Sequence, residues 1–358
     1  MKKIVLLVII VKLLNGNIYC QEIVSPSGIK WYGINQAFEL AKKEPRPILV
    51  DVYTDWCSWC TFMMKTTFAN SGISNYINTY FYAVRFNAET LDTIEFKGVK
   101  YFNRRVGRQP VHDLTSVLLE GRFSYPSIVY YDREGNKTIV PGYKESKDIE
   151  PILVYYAENV NKTCSIDEFI LNYMYSFPLA YEKDHSIFKI DPNLKPDTLG
   201  TVKWIVPEKI AELQKKNPKP ILLFFYTDWT ISSKVMEKTT FGNSNLASKI
   251  NEQYYPVKIN AASQETINLL GKTYMGTGAN QPHQITQTIL NGNYLMPAIV
   301  VFDEAGLQIS NLNGYLVKNQ LLPLTDYFYD KSYKKYSFQD YLKSYIQGKK
   351  ATDEKITN

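Results

Sequence analysis

The sequence has few cysteines, few histidines and no long apolar run beyond its first residues. It contains four cysteines and three histidines in 358 residues. One of the four, Cys20, falls in a predicted leader, and the remaining three cannot build a disulfide framework. No second Cys or His pair accompanies the closely spaced Cys57 and Cys60, so a metal site would lack two ligands. Beyond the leader, no stretch approaches the ~20 apolar residues that cross a bilayer.

Charge of one sign is not concentrated anywhere in the chain. The 41 Lys and Arg residues are interleaved with 35 Asp and Glu residues, for a net charge of +6. Nucleic-acid binding is not expected, because it requires a clustered basic surface. With 45% hydrophobic and 21% charged residues, the chain is globular and long enough for about two domains. No cofactor and no metal are predicted.

The first twenty residues have the pattern of a signal peptide. A basic start with Lys2 and Lys3 precedes the apolar run Ile4–Val11, and smaller, more polar residues follow up to Cys20. We expect cleavage after residue 20 and export to the periplasm or cell envelope. Retention of Cys20 as an acylated lipoprotein cysteine is the alternative, although Tyr19 fits a lipobox poorly.

An internal repeat divides the chain. Residues 47–56 recur as residues 220–229, an offset of 173, and the match continues past a small indel, after which His112 pairs with His283 and Pro126 with Pro297, to the ends of both halves. We place one domain at 27–175 and a second at 201–347, joined by a linker at 176–200 and followed by a flexible tail at 348–358.

Strand-like and helix-like patterns alternate within each unit. In the first unit they predict these elements: a helix at 34–43, a buried strand at 48–53, a helix at 62–71, a strand at 80–87, a hairpin of strands at 127–131 and 137–140, and a closing helix at 149–159. This order indicates an α/β fold, with a central mixed sheet flanked by helices in each unit.

Cys57 and Cys60 follow the predicted buried strand and open a helix. Free backbone N–H groups and the positive end of the helix dipole favour a thiolate at Cys57, which lowers a thiol pKa from about 8.5 into a range of about 3.5 to 7.5. Cys60, one turn further on, can attack a mixed disulfide formed by Cys57. Cys57 is therefore the predicted nucleophile and Cys60 the resolving thiol; a permanently closed structural disulfide is the alternative.

The run Ile48–Cys60 resembles the active-site strand and loop of the thioredoxin superfamily, and Tyr125–Pro126 resembles its cis-proline loop. Together with His112, Leu114 and Gly142–Tyr143, the chain is most similar to exported thioredoxin-related proteins of the bacterial envelope.

The resemblance implies two tandem thioredoxin-like folds and specific roles for several residues. Asp51 is the buried acid that assists proton transfer at Cys60, Pro126 is the cis-proline facing the disulfide, and Trp56 flanks the site with Tyr125. The dipeptide Ser58–Trp59 departs from the Gly-Pro of thioredoxins proper, so the redox direction does not follow from the resemblance.

The second unit is an internal control. At the repeat offset Cys57 becomes Thr230, Cys60 becomes Ser233 and Asp51 becomes Phe224, whereas Trp229 and Pro297 remain. We therefore expect a redox-dead second unit that is used for binding. His112 has a counterpart, His283, in this unit, so a structural cap or a packing role is predicted for it; Cys164 is expected to be a buried, inert thiol.

These patterns predict a thiol-disulfide oxidoreductase of the cell envelope, of reductase or isomerase type, acting on protein substrates with disulfides or thiols. It would receive electrons from a membrane or periplasmic thiol redox donor. The alternative is a non-enzymatic envelope binding or assembly factor with a structural disulfide.

Overall fold

The computed structural model describes residues 28–107, 110–177, 199–279 and 281–356, with side chains up to residue 348. The predicted signal peptide and most of the predicted linker lie outside these residues. Among the described helices, none has the length and apolar character needed to cross a membrane.

The elements of the first unit are β1 (Trp31–Tyr32), α1 (Ile34–Lys43), β2 (Ile48–Tyr53), α2 (Ser58–Thr66), α3 (Ser71–Tyr80), β3 (Tyr82–Asn87), β4 (Ile94–Phe96), β5 (Val99–Tyr101), α4 (Asp113–Leu119), β6 (Ser127–Tyr131), β7 (Lys137–Pro141), α5 (Ser146–Ala157) and α6 (Ile166–Ser176).

The first unit is built around a mixed sheet with strand order β1-β3-β2-β6-β7. β2 runs parallel to β3 and antiparallel to β6, so it is covered by a neighbour on each side. Five of its six residues are buried, as expected for an almost continuously apolar strand with helices on both faces of the sheet. This confirms the predicted α/β class, and it places the end of β2, which leads to Cys57, at the centre of one sheet edge.

The second unit repeats this order of elements from α1 onward. They are α7 (Ile210–Lys216), β8 (Ile221–Tyr226), α8 (Ile231–Thr239), α9 (Ser244–Gln253), β9 (Tyr255–Asn260), β10 (Ile267–Leu269), β11 (Lys272–Tyr274), α10 (Gln284–Leu290), β12 (Ala298–Phe302), β13 (Gln308–Asn313), α11 (Lys318–Tyr329) and α12 (Phe338–Ile356). The sheet has the order β13-β12-β8-β9. β8 and α8 thus occupy the places that β2 and α2 occupy in the first unit.

Three apolar clusters form the core. One lies on a single face of the first sheet and includes Val50 and Val129, and another lies on the corresponding face of the second sheet and includes Leu223. The third cluster contains residues of both units, from Leu49 in β2 to Leu222 in β8. The opposite faces of the two sheets therefore share one continuous core through the helices packed between them.

The helices after β2 differ from the prediction. A helix over 62–71 is wrong, because α2 ends at Thr66 and a separate helix, α3, begins at Ser71. The Asn70 side chain accepts hydrogen bonds from the N–H groups of Gly72 and Ile73 and so starts the new helix. The hairpin of β4 and β5 was not predicted.

The ends of the units also differ. α5 does not close the first unit, because α6 follows it and packs against it. At the C-terminus, residues 348–356 form the last part of α12, and the flexibility of this segment stays a prediction.

Candidate functional site

Cys57 and Cys60 form a disulfide at the start of α2, with their Cα atoms 5.3 Å apart. Cys57 is the N-cap residue of the helix, and its Sγ accepts a hydrogen bond from the Cys60 N–H at 3.1 Å. The Cys57 N–H donates to the Thr54 carbonyl at 3.2 Å, which fixes the turn between β2 and α2. The helix start therefore already directs a donor at the sulfur that would carry negative charge after reduction.

Two further N–H groups at this helix start remain open. Among the described residues, none accepts a hydrogen bond from the backbone N–H of Ser58 or Trp59. The positive end of the helix is thus available beside the disulfide. Both sulfur-bearing residues are recessed, with Cys57 5% and Cys60 4% exposed, whereas the adjacent Trp56 and Trp59 are 57% and 58% exposed.

The three predicted substrate-binding residues lie close to one another in the fold. The Trp56 ring meets the Tyr125 ring edge-on, with centroids 6.1 Å apart, and its Nε1 donates to the Glu89 carboxylate at 3.0 Å. The Tyr125–Pro126 peptide bond is cis. The Pro126 carbonyl accepts from the Gly142 N–H at 2.8 Å, which ties this loop to the end of β7.

An aromatic cluster that was not predicted includes Trp59, which lies between Cys57 and Cys60 in the sequence. The rings of Trp59, Phe62 and Tyr143 contact one another at centroid distances of 5.4 to 5.9 Å. Phe62 is 47% exposed, so the cluster presents apolar surface to solvent. The sequence singles out Trp59 and Tyr143 separately but does not predict their contact, because these side chains and Phe62 come together only through the fold and share no motif.

Asp51 lies in the middle of β2 and is 3% exposed. Burial raises the pKa of its carboxyl group to about 7, and the nearby Arg85 guanidinium opposes that rise. Arg85 Nε is 3.7 Å from Asp51 Oδ2, and its guanidinium lies 3.9 Å from the centre of the Tyr53 ring. Sequence reasoning missed Arg85, although an arginine directly across a parallel strand pair from a buried acid is a usable signal.

The second unit keeps the frame of this site without its reactive groups. Thr230 is the N-cap residue of α8, as Cys57 is of α2, and Ser233 stands one turn inside the helix. Phe224 fills the place of Asp51 in β8 and is fully buried. The Met296–Pro297 peptide bond is cis. The N-cap position, the helix and the cis-proline thus recur, while the two sulfurs and the buried acid do not.

His112 and His283 cap helices, which confirms the structural role predicted for them. His112 is the N-cap residue of α4: its Nδ1 accepts from the Leu114 N–H at 3.2 Å, and its Nε2 lies 3.0 Å from the Asp92 carbonyl. His283 makes the equivalent bonds in the second unit at 3.1 and 2.9 Å. Both side chains are fully buried.

We expect His112→Ala to reduce the free energy of unfolding by about 2 kcal/mol without changing thiol exchange. The substitution removes a helix cap and leaves the Leu114 N–H and the Asp92 carbonyl without a partner. Urea denaturation measures the loss, and His283→Ala is the matched control with a similar expected cost. A folded His112→Ala chain that has lost exchange activity would instead assign the imidazole a chemical role.

Cys164 is buried and unpaired, as predicted. It is 8% exposed and lies just before the start of α6. Burial raises the pKa of its thiol to about 12, and the nearby Glu168 carboxylate adds to the shift. The thiolate is therefore strongly disfavoured at neutral pH, and the thiol is inert.

Two family models match the chain, one in each half. The model Thioredox_DsbH, described as a protein of unknown function (DUF255), matches residues 18–139. The model of a thioredoxin-like domain matches residues 206–329. Comparison with curated proteins gives no match.

Solved structures with similarity to the chain include several thioredoxin-fold proteins. A DsbH oxidoreductase is 18% identical over 32% of this chain and 72% of its own, with a TM-score of 0.24. A thioredoxin-fold protein from Helicobacter pylori is 21% identical over 44% of this chain and 94% of its own, with a TM-score of 0.31. The C-terminal domain of DsbD from Neisseria meningitidis, in its reduced form, is 20% identical over 33% of this chain and 90% of its own, with a TM-score of 0.24.

Proposed function

Since the chain carries two thioredoxin-like regions in sequence order, we propose that it is a thiol-disulfide oxidoreductase in which only the first unit is redox-active. The observation that carries this proposal is the Cys57–Cys60 disulfide at the start of α2. The positive end of the helix dipole and free N–H groups lie beside this disulfide, which can be reduced and formed again.

The reaction begins from the reduced pair. The Cys57 thiolate attacks one sulfur of a substrate disulfide, so a Cys57–substrate bond forms and the other substrate sulfur leaves as a thiolate. Cys60 then loses its proton and attacks the Cys57 sulfur, which expels the second substrate thiolate. Two electrons pass to the substrate, and the protein is left with the Cys57–Cys60 disulfide that the structure contains.

Asp51 is the proposed acceptor of the Cys60 proton. A carboxyl group with a pKa of about 7 can take up a proton near neutral pH and return it, as a general acid-base group requires. Trp56, Tyr125 and Pro126 are the proposed substrate-binding residues, because Trp56 adjoins Cys57 in the sequence and its ring contacts Tyr125, the residue before the cis-proline. The cis-proline loop offers main-chain groups to an extended segment of a protein substrate.

The proposed partners are protein substrates with disulfides or thiols and a membrane or periplasmic thiol redox donor. Such a donor is needed because each round of reduction leaves the protein oxidised, and the described residues hold no second redox pair. The predicted signal peptide supports a location in the periplasm or cell envelope. The second unit, without Cys57, Cys60 and Asp51 counterparts, is proposed to be redox-dead and to serve in binding.

A second candidate is a non-enzymatic binding or assembly factor of the envelope with a structural disulfide. The low exposure of Cys57 and Cys60, at 5% and 4%, favours this reading, because attack by a substrate sulfur needs access. The two candidates differ in the expected stability of the disulfide toward thiols.

The redox potential of the Cys57–Cys60 pair separates these candidates. For an oxidoreductase we expect the pair to equilibrate with dithiothreitol or glutathione buffers at a potential between about −270 and −120 mV, and the reduced chain to reduce insulin. A potential below about −300 mV, together with no insulin reduction, would support the structural disulfide and contradict the enzyme.

A further inference from the structure

The start of α8 in the second unit is occupied by a side chain of the first unit. Glu158 follows the last residue of α5, and its two carboxylate oxygens accept hydrogen bonds from the N–H groups of Ile231 at 2.9 Å and Ser232 at 2.6 Å. These are the first two residues of α8. Two of the N–H groups that a helix start leaves without an internal partner are therefore satisfied across the boundary between the units.

The equivalent helix start in the first unit, that of α2, has no such carboxylate bound to it in the described part of the chain. The residues equivalent to Ile231 and Ser232 are Ser58 and Trp59, whose N–H groups have no acceptor among the described residues. The helix in the first unit receives its cap from the Cys57 sulfur, which accepts from the Cys60 N–H. The difference between the two sites is thus both the missing sulfur and the added carboxylate.

Thr230 does not replace the cap that its position has lost. Its hydroxyl is hydrogen-bonded to the Thr227 hydroxyl, and its side chain accepts from no N–H of α8. A neutral hydroxyl tolerates a neighbouring carboxylate, whereas a thiolate at this position would place a second negative charge at the same helix start. Thr230 and Glu158 can therefore share this helix start, whereas a cysteine thiolate and the Glu158 carboxylate would repel each other there.

The packing around this contact holds Glu158 in place. α5 and α6 of the first unit pack against α8, and the apolar cluster shared by the units continues through them. Two polar contacts flank the interface: Lys238 Nζ donates to the Ser176 carbonyl, and Gln320 Nε2 donates to the Thr163 carbonyl, both at 2.5 Å.

An opening of about 580 Å³ remains between the units beside Glu158. The first unit contributes Tyr80 and Arg133 to its lining, and the second unit contributes Trp229 and Met296, the residue before the cis-proline. This volume suits a small molecule and is far smaller than a protein substrate.

We propose that the cysteine-free site of the second unit is the receptor for the first unit, with the Glu158 carboxylate bound at the helix start where a redox-active unit presents its nucleophilic sulfur. The binding role of the second unit is then directed at its own chain. This inference rests on the contacts of Glu158, and it holds whether or not the first unit is an enzyme.

A single reporter thiol tests the proposal. The full chain carries Cys20→Ser, Cys57→Ser, Cys60→Ser, Cys164→Ser and Thr230→Cys, and the pH dependence of its alkylation by iodoacetamide gives the pKa of the introduced thiol. Iodoacetamide is small enough for the opening beside Glu158, so the profile reports thiol ionisation. When Glu158→Ala is added, we expect this pKa to fall by about one unit, because the N–H groups and the helix dipole become available to the thiolate.

The matched control is Glu134→Ala in the same reporter chain. Glu134 is an exposed glutamate of the first unit whose carboxylate pairs with Lys162, and we expect no change in the pKa of the introduced thiol. Glu158→Gln retains the size of the side chain and one acceptor, and it gives an intermediate value; it carries the comparison if Glu158→Ala does not fold. Equal values with and without Glu158 would overturn the proposal, and since the chain lacks Cys57 and Cys60, this outcome leaves the proposed redox function untouched.

Discussion

Cys57→Ser is expected to lower insulin reduction to the background rate, a loss of about 1,000-fold or more. The substitution removes the sulfur that attacks the substrate, and the Cys60 thiol that remains is buried inside α2 and does not occupy the N-cap position. The loss of a disulfide that closes a four-residue loop costs about 2 kcal/mol in the chain-entropy description, so the folded state is expected to persist. Insulin turbidity with a dithiol as electron donor measures the rate.

Cys60→Ser is the complementary variant. It keeps the attacking thiolate but removes the thiol that releases the substrate, so we expect a mixed disulfide to accumulate on Cys57 and to be visible by mass spectrometry. Cys164→Ser is the matched control, because its thiol is buried and inert, and its rate should equal that of the unaltered chain. Full activity in a folded Cys57→Ser chain would contradict the proposed mechanism.

Asp51 is expected to make the first unit less stable as the pH rises. Its carboxyl pKa is about 7 in the folded chain against an ordinary value of 3.8, so between these values the folded state binds a proton that the unfolded state has released. The stabilisation is complete below about pH 4 and is lost as the pH rises through 7. At about 1.4 kcal/mol per pKa unit, the loss by pH 8 is about 4 kcal/mol.

Asp51→Asn should remove this pH dependence, because an amide does not titrate. Urea denaturation of both chains from pH 4 to pH 8 measures the difference, and we expect the variant to be the more stable chain at pH 8. Asp55→Asn is the matched control; Asp55 lies in an exposed position after β2 and accepts a hydrogen bond from Asn87 at 3.0 Å. If the stability curves of the unaltered and Asp51→Asn chains run parallel, the buried carboxyl does not titrate in this range.

The strands of the central sheet could be predicted from the sequence because their apolar runs leave few alternatives. β2 and β6 have the predicted bounds. The interruption between α2 and α3 could not be recognised in the same way, since helix-compatible residues continue across it and the new start depends on the Asn70 cap. The hairpin of β4 and β5 has three residues per strand, too few to show an alternating pattern.

Most groups of the candidate site could be located from the repeat, because it separates the reactive residues from the frame. The side chains that surround these groups could not be predicted from the repeat. The pairing of Arg85 with Asp51 follows from strand register, and the cluster of Trp59, Phe62 and Tyr143 joins α2 to the segment after β7. The sequence around Glu158 indicates only an acidic residue at the end of a helix. Its contacts could not be predicted, because its partners are more than 70 residues away.

The apolar cluster shared by the two units has a consequence for the genetics of this protein. A substitution in β8 or α8 touches no reacting atom, yet it disturbs the same core that supports β2. The half without counterparts of Cys57 and Cys60 is therefore not free to accumulate changes, and inactivating alleles should arise there as well as around Cys57. For the same reason, separating the two halves would expose to solvent the apolar residues that each half buries against the other. Neither half expressed alone is then expected to reproduce the properties of the full chain.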